Sequence, residues 1–383
     1  MNVEQVYSLM NDVTKEILGD QAILSEDLSN VVEIGTQIFN ATAVDNYVKT
    51  LVDHIGKVIF VNRPYSGNVP SLLMDAWEFG SVLEKVRADL PEAQENESWE
   101  LQDGASYDPN IFYKPSVSAK FFNKRVTFEV PVSITEKQVK ESFSNASQLN
   151  GFISMIYNAV DKSMTIKIDA LAMRTINNMI GETVYDEFPG GTYTSTGVKA
   201  VNLLDEYNTQ FSASLSASDA ITNAEFIRYA SFRIAVYSDR LSKVSNLFNI
   251  GGTDKFTPKD SLHLVMLSDF ARGADVYLNS DTFHEDYVNL PASEKVPYWQ
   301  GSGTSYDFDD ITAIDIVTAS GHSIQFDGIL AVMFDRDALG VSNLDRRVTV
   351  AYNAKGEFTN NFFKFDAGYF NDTDENFVVF FVA

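Results

Sequence analysis

The sequence predicts an α+β fold organised around one long helix between Ser147 and Ile180. Its apolar residues recur three or four positions apart and so share one face of a helix: Leu149, Phe152, Ile153, Ile156, Val160, Met164, Ile168, Leu171, Ile176 and Met179. At the usual rise per residue this span is a rod of about 50 Å, and Gly181 is expected to end it as a C-terminal cap. A single apolar stripe indicates that the rod lies across a sheet or a domain and does not cross a core.

Segments of strand character on both sides of this helix supply the β part of the prediction. Val117 to Val132 alternates apolar and polar residues, which is the period of a half-buried strand. With the strand-like Glu78 to Asp89 and the polar, acidic Pro91 to Tyr113 between them, it predicts an extended hairpin over residues 90–133. A two-stranded ribbon is marginal alone in water, so it should lie on another surface. Three further strand candidates end the chain: Arg347 to Tyr352, Phe358 to Tyr369 and Phe377 to Val382.

The remaining elements are predicted from periodicity and from capping signals. Thr135-Glu-Lys-Gln138 fits a capping box, which opens a short helix, Glu136 to Phe143, ahead of the long one. A Ser/Ala-rich stretch at 212–218 marks a boundary, after which the pattern is typical of an α/β arrangement. The other predicted elements are helices at Val3 to Leu18, Val44 to Ile55, Val198 to Phe211, from Thr222 onward and Asp269 to Asn279, and strands at Ser261 to Ser268, Ile311 to Val317 and Ile324 to Phe334.

The composition excludes several classes of function. The 383 residues carry 29 basic and 53 acidic side chains, a formal net charge of −24, so the chain has no general affinity for nucleic acid. It has no cysteine, which excludes disulfides, thiolate metal sites and cysteine catalysis. No run approaches the roughly 18 apolar residues of a membrane span. Met1 to Asp20 lacks the basic start and apolar core of a signal peptide.

A search for catalytic and metal-binding motifs is negative. The sequence has no glycine-rich phosphate loop, no His-Glu-x-x-His and no Gly-x-Ser-x-Gly, and its four histidines are scattered. Asp335-x-Asp337 lacks the glycine and terminal glutamate of a calcium loop, and Asp372-Thr-Asp-Glu375 is most simply a hairpin turn. We therefore predict no catalytic, metal or cofactor site and a chain that is not an enzyme.

The order of these segments resembles the major capsid protein family of tailed bacteriophages, which has the Hong Kong 97 capsid fold. The resemblance lies in the arm, the hairpin, the helix entry Val132-Ser-Ile-Thr-Glu-Lys-Gln138, the long helix and the segment Leu330-Ala-Val-Met-Phe-Asp-Arg-Asp-Ala-Leu-Gly340. It implies an N-terminal arm (1–66), an extended loop (90–133), and a peripheral domain from residues 67–89, 134–221 and the terminal strands 341–383. The long helix, 147–180, would be the spine of that domain, and residues 222–340 an axial domain.

The resemblance also implies a function and partners. Subunits would self-assemble into hexamers and pentamers of an icosahedral head that encloses double-stranded DNA without sequence-specific binding, as part of the virion, assembled in the host cytoplasm. A separate scaffolding protein, a portal and decoration proteins are the expected partners, with no membrane. The extended loop would contact a neighbouring subunit through an apolar face formed by Phe121, Val126 and Phe128, and through the basic residues Lys120, Lys124 and Arg125, which would meet acidic groups there.

Two alternatives belong to other classes. An encapsulin-like compartment shell would have the same fold, although its members tend to be shorter. An acidic α/β enzyme could use carboxylates that no motif reveals. Electron microscopy of the expressed protein separates shells from an enzyme, and packaged DNA or packaged protein separates the two kinds of shell.

Overall fold

The computed structural model of the chain describes residues 3–18, 30, 32–33, 50, 72–74, 83–88, 93, 95–96, 99–114, 116–135, 137–138, 146–279, 293–299, 312–318 and 320–383. Almost all of the predicted helix Val44 to Ile55 and most of the predicted helix Glu136 to Phe143 lie outside these residues. The capping box itself is described: Gln138 Oε1 accepts from the Thr135 amide at 3.0 Å, and the Gln138 amide donates to Thr135 Oγ1 at 3.2 Å. The predicted capping box is therefore confirmed.

The described residues form helices and strands in mixed order. The helices are α1 (Val3–Leu18), α2 (Ala146–Glu187), α3 (Leu203–Phe211), α4 (Ala217–Ala220), α5 (Ala224–Leu241) and α6 (Ser268–Asn279). The strands are β1 (Leu73–Met74), β2 (Leu83–Ala88), β3 (Val117–Phe122), β4 (Arg125–Thr135), β5 (Ala200–Asn202), β6 (Leu262–Leu267), β7 (Ser293–Val296), β8 (Ile314–Val317), β9 (Ser323–Phe326), β10 (Ile329–Asp335), β11 (Leu339–Asn353), β12 (Phe358–Asn371) and β13 (Phe377–Phe381). No helix in the described part of the chain has the length and hydropathy that crossing a membrane requires.

The long helix α2 is longer than predicted. It has 42 residues, about 63 Å at the usual rise, and it continues through Gly181 to Glu187. A β-carbon at Gly181 would lie 2.5 Å from Ile316 Cδ1, so this glycine allows β8 to approach the helix closely and does not cap it. The helix ends just before Phe188-Pro189, because the residue before a proline disfavours helical backbone. The predicted end at Gly181 is wrong.

The environment of α2 changes along its length. In its first half Ile153, Val160 and Met164 are buried on one face while Met155 and Ile166 are exposed on the other, as the single stripe predicts. From Ala170 to Met173 four successive residues are buried, which covers a full turn of the helix. The helix as a whole contacts both β11 and β13, which belong to different sheets. The predicted single stripe therefore describes the first half of the helix, while the second half is buried around a full turn.

The first sheet has four strands in the order β1-β11-β12-β4. Strands β4, β12 and β11 are antiparallel, and β4 pairs with β12 from Thr135↔Phe358 to Arg125↔Gly368. Along β12 buried residues alternate with partly exposed ones, and β4, β11 and β12 all contact α2. Helix α1 also contacts α2, with Met10 and Val13 buried, so the predicted first helix packs on its own subunit.

The second sheet has five strands in the order β5-β13-β10-β6-β7. Strands β10 and β13 are buried along their whole length and pair antiparallel. The predicted single strand Ile324 to Phe334 is divided at Gly328, which has a φ of +74°, into β9 and β10. Helix α3 begins after Asn202, whose Oδ1 accepts from the amides of Leu204 and Asp205, and the predicted start at Val198 is replaced by β5.

One predicted strand is divided between two sheets, and so are the three predicted terminal strands. The segment Val117 to Val132 is not one strand: β3 pairs with β2, whereas β4, after a break at Asn123-Lys124, joins the first sheet. The three terminal strands do not share a sheet, because β11 and β12 lie in the first sheet and β13 in the second. A period-2 pattern indicates a strand but not the sheet to which it belongs. The fully apolar β13 fits the centre of a sheet that is covered on both faces.

Candidate inter-subunit contact site

The extended hairpin predicted from the sequence is present as a shorter ribbon, β2 paired with β3. The register runs from Leu83↔Phe122 to Ala88↔Val117. Directly opposite residues share a face of an antiparallel pair. One face therefore carries Val86 and Phe121, both largely exposed, and the other carries Lys85 and Lys120. The two faces of the ribbon differ in chemistry, apolar outward and basic inward.

The loop beyond the ribbon exposes large aromatic side chains. Trp99 is 96% exposed, Phe112 84% and Tyr113 77%, and every described residue from 99 to 114 is exposed. The Gln102 amide donates to Tyr107 Oη at 3.2 Å, and Gly104 takes the positive φ of a turn. Contiguous exposed apolar residues on a monomer mark an interaction surface. We call residues 99–113 the loop tip.

A cluster of ion pairs fixes the inward face of the ribbon to the rest of the subunit. Asp372 accepts from Lys85 at 2.9 Å and from Lys120 at 2.8 Å. The remaining ion pairs join the residues that follow Asp372 to the ribbon and to the loop before β6: Asp374 with Arg87 (3.1 Å) and Lys120 (2.8 Å), and Glu375 with Lys85 (2.8 Å) and Lys255 (2.8 Å). The side chains of Asp372 and Glu375 are almost completely buried. We call this group the ribbon clamp.

The clamp shifts the pKa values of its members. Burial disfavours the charge of Lys85, but hydrogen bonds to Glu375 and Asp372 outweigh burial and raise its pKa. Burial also disfavours the charge of Asp372, and the hydrogen bonds from Lys120 and Lys85 outweigh it and lower the pKa. At nearby Asp335, burial dominates and raises the pKa, although the Asp337 amide donates to its carboxylate at 2.9 Å.

A cavity of about 680 Å³ adjoins the clamp, lined among others by Arg87, Lys255, Phe256, Asp335 and Glu375. Within the described ranges, no group of three or more histidine and acidic side chains could hold a metal ion. Arg87, Lys255 and Glu375 are already paired with each other or with other clamp residues. The arrangement therefore serves to hold the ribbon in place.

The predicted contact residues divide between three locations. Phe121 is on the exposed face of the ribbon, whereas Lys120 binds acidic groups of its own chain. Lys124 lies in the break between β3 and β4, Arg125 is the first residue of β4, and both are exposed.

Val126 and Phe128 lie on β4, in the first sheet, and not in the ribbon. Phe128 is 8% exposed, with its ring centroid 5.1 Å from that of Phe365, and Val126 packs against the same core. The prediction that these two side chains lie on the ribbon's apolar face is wrong, because the strand that carries them is paired with β12.

Sequence reasoning missed the most exposed residues of the site and its clamp. The tip was described by its acidic residues, although Trp99, Phe112 and Tyr113 stand among them as a signal that could have been used. Asp372-Thr-Asp-Glu375 is not a hairpin turn, because it connects β12 to β13 in different sheets. Asp372 forms ion pairs with Lys85 and Lys120, more than 200 residues earlier in the chain, and no local sequence pattern indicates such a pairing.

Comparisons with known proteins place this chain among phage capsid proteins. Residues 10–381 match the family of the Phi29-like phage major capsid protein. The major capsid protein of Bacillus phage B103 is 20% identical over 368 residues, 95% of this chain and 70% of that protein. That of Bacillus phage GA-1 is 20% identical over 195 residues, 49% of this chain and only 40% of that protein.

Solved structures give the same fold. The capsid structure of Staphylococcus phage Andhra aligns with a TM-score of 0.52 at 9% identity and covers 84% of this chain and 86% of that one. A structure of the head fiber and inner core protein of native bacteriophage P68 aligns with a TM-score of 0.50 at 7% identity and the same coverage. At such low identity the likeness concerns the fold alone.

Proposed function

The chain belongs to the Phi29-like phage major capsid protein family, and from this membership we propose that its subunits assemble as hexamers and pentamers into an icosahedral phage head around double-stranded DNA. The ribbon and loop tip would form the contact that ties each subunit to the next. One observation carries this role: Trp99, Phe112 and Tyr113 project into solvent from a ribbon that the clamp fixes at its base. Large apolar side chains exposed together on a monomer mark an interaction surface, and a second copy of the chain would cover them.

The neighbour would receive the tip on the exposed face of α2. Met155 and Ile166 lie there, eleven residues apart and so on one side of the helix, with exposed Lys162 between them. The tip supplies aromatic rings together with Glu100, Asp103 and Asp108, which suit a lysine on the acceptor. An exposed ion pair contributes at most about 1 kcal/mol, so the apolar contacts would supply most of the binding free energy. A closed shell repeats this contact at every subunit.

The net negative charge of the chain supports a shell that encloses DNA without binding to it. A net charge of −24 repels the phosphate backbone at long range, so packaged DNA would be held by enclosure. Assembly would take place in the host cytoplasm. A separate scaffolding protein would guide it, a portal would occupy one vertex, and decoration proteins could bind the finished surface.

The test removes the apolar residues of the tip. In the variant Trp99→Ser, Phe112→Ser, Tyr113→Ser, expressed with the flanking phage genes, we expect subunits with unchanged circular dichroism that do not form closed shells in electron micrographs. The matched control Glu100→Gln, Asp103→Asn, Asp108→Asn changes three neighbouring residues and should still give shells, because the apolar contacts dominate. Normal particles from the serine variant would refute the role of the tip.

A further inference from the structure

We propose that Asp372 is the positioning residue of the ribbon: by binding two lysines that face each other across β2 and β3, it sets the direction in which the ribbon leaves the subunit. The inference rests on the proposed role of the ribbon as the contact between subunits. It extends that role to a residue that lies in the link between the two sheets, outside both the ribbon and the tip.

The strand register of the ribbon places two positive charges opposite each other, and a negative charge between them would offset their repulsion. Lys85 and Lys120 are directly opposite each other, and like charges in that position destabilise an antiparallel pair. Asp372 places one carboxylate oxygen on each of them, Oδ2 on Lys85 at 2.9 Å and Oδ1 on Lys120 at 2.8 Å. Of the carboxylates that the structure describes, Asp372 is the one seen to contact both lysines.

Asp372 is itself held rigidly. Its amide donates to the carbonyl of Ala338 at 2.7 Å, and its carbonyl accepts from the Glu375 amide. The preceding Asn371 donates through Nδ2 to the carbonyl of Thr175, in α2, at 3.1 Å. The carboxylate is therefore fixed relative to the long helix. A ribbon bound to it takes its direction from the same helix.

The other clamp contacts would keep the ribbon attached without Asp372. Lys85 also binds Glu375 and the Asp337 carbonyl, and Lys120 also binds Asp374. Each of these partners contacts only one of the two lysines in the described structure. Removing the Asp372 charge should therefore widen the range of directions that the ribbon takes. The remaining ion pairs should still hold the ribbon to the subunit.

The absence of native cysteines makes the direction measurable by spin labelling of unassembled subunits. One label pair, Ala119→Cys with Ser214→Cys, joins the exposed face of the ribbon to a loop of the main body. A second pair, Asn158→Cys with Ser214→Cys, joins α2 to the same loop and reports the body alone. Pulsed dipolar spectroscopy gives the distance distribution of each pair.

In Asp372→Asn we expect the distribution of the ribbon pair to shift and broaden, and that of the body pair to stay unchanged. Asp239→Asn is the matched control, because it removes the same charge from an exposed ion pair with Lys259 (2.7 Å), and should alter neither. Adding Lys120→Gln to Asp372→Asn should narrow the distribution again, since it removes the repulsion between two lysines that no longer share a carboxylate. A purely structural role would give no such recovery.

An unchanged ribbon distribution in Asp372→Asn, or no recovery in the double variant, would overturn the proposal. If Asp372→Asn does not fold, Lys120→Gln alone must broaden the distribution, because it leaves only Lys85 on the carboxylate, and an unchanged width would equally overturn it. Because the labels are read before assembly, a misdirected ribbon together with normal shells would refute the proposed role of the ribbon and leave the positioning by Asp372 intact.

Discussion

Gly181 of α2 lies directly against Ile316 of β8: a β-carbon on the glycine would stand 2.5 Å from Ile316 Cδ1 and 3.1 Å from Thr318 Cγ2. The glycine therefore sets how closely the β8–β9 hairpin packs on the long helix. Nearby, Glu182 accepts from the amide and hydroxyl of Ser320, and the rings of Tyr185 and His322 stack at 3.6 Å. The same two elements are thus joined along about one turn of the helix.

Substitution of Gly181 should destabilise the subunit despite the gain in helix propensity. Alanine gains about 1 kcal/mol in a helix interior, whereas overpacking a tight core costs about 1–3 kcal/mol, so Gly181→Ala should have a lower midpoint of urea unfolding. Gly151, in the same helix, has open space around its α-carbon, and Gly151→Ala is expected to raise the midpoint. Adding Ile316→Val should recover part of the loss at Gly181. Equal gains at both glycines would contradict the packing explanation.

Two phenylalanines that the sequence assigned to one ribbon face should behave oppositely. Phe128 is buried against Phe365, so Phe128→Ala should lower the free energy of unfolding by about 3–5 kcal/mol. Phe121 is 63% exposed, and Phe121→Ala should leave stability within about 0.5 kcal/mol while it lowers the yield of shells. Chemical denaturation and particle counts in micrographs measure the two effects. Similar stability losses for both would show that the outward face of the ribbon is also packed on its own subunit.

The clamp should give a defined pH dependence. The pKa of Asp372 is lowered below 3.8 in the folded state, so its stabilising contribution is present above that value and is lost as pH falls through the folded pKa. Asp372→Asn should cost about 2 kcal/mol at pH 7, since it removes hydrogen bonds to charged groups. The difference between parent and variant should shrink in acid, below pH 3.8, where Asp372 in the parent becomes protonated. A difference that is constant with pH would mean that charge is not its cause.

The contribution of Asp335 to stability should change with pH in the opposite direction. Burial raises its folded pKa above 3.8, so its ionisation reduces stability as pH rises through the window above 3.8. Asp335→Asn removes that cost, and relative to the parent it should gain stability from acid to neutral pH. Urea unfolding at a series of pH values measures this. If Asp335→Asn instead lost stability relative to the parent as pH rises, the raised pKa of Asp335 would be contradicted.

Element order and local signals predicted much of this fold. The family and the Hong Kong 97-like capsid fold, inferred from the arm, hairpin and long helix, are both confirmed. The family is one of capsid components, and the encapsulin-like and enzyme alternatives are not favoured by it. Strand β6 and helix α6 lie within a residue of their predicted bounds. These successes rest on periodicity and capping, which are properties of neighbouring residues.

The errors concern relations between distant residues. Val126 continues the apolar–polar alternation that begins before Phe121, but its strand pairs with β12. Gly181 is the residue type that often caps a helix, but here it allows close packing inside the helix. The clamp depends on Asp372 meeting Lys85 and Lys120 across most of the chain. Such pairings follow from tertiary packing, so a single sequence without its fold could not specify them.

The central claim, that the loop tip of one subunit binds α2 of the next, is tested most directly by disulfide crosslinking. The chain has no cysteine, so Phe112→Cys can be combined with Met155→Cys or Ile166→Cys, with Phe112→Cys plus Ser214→Cys as the control pair. We predict that oxidation of assembled shells gives a ladder of covalent oligomers on a non-reducing gel for at least one of the α2 pairs and not for the control. Intact shells of both α2 pairs that yield only monomers would contradict the account.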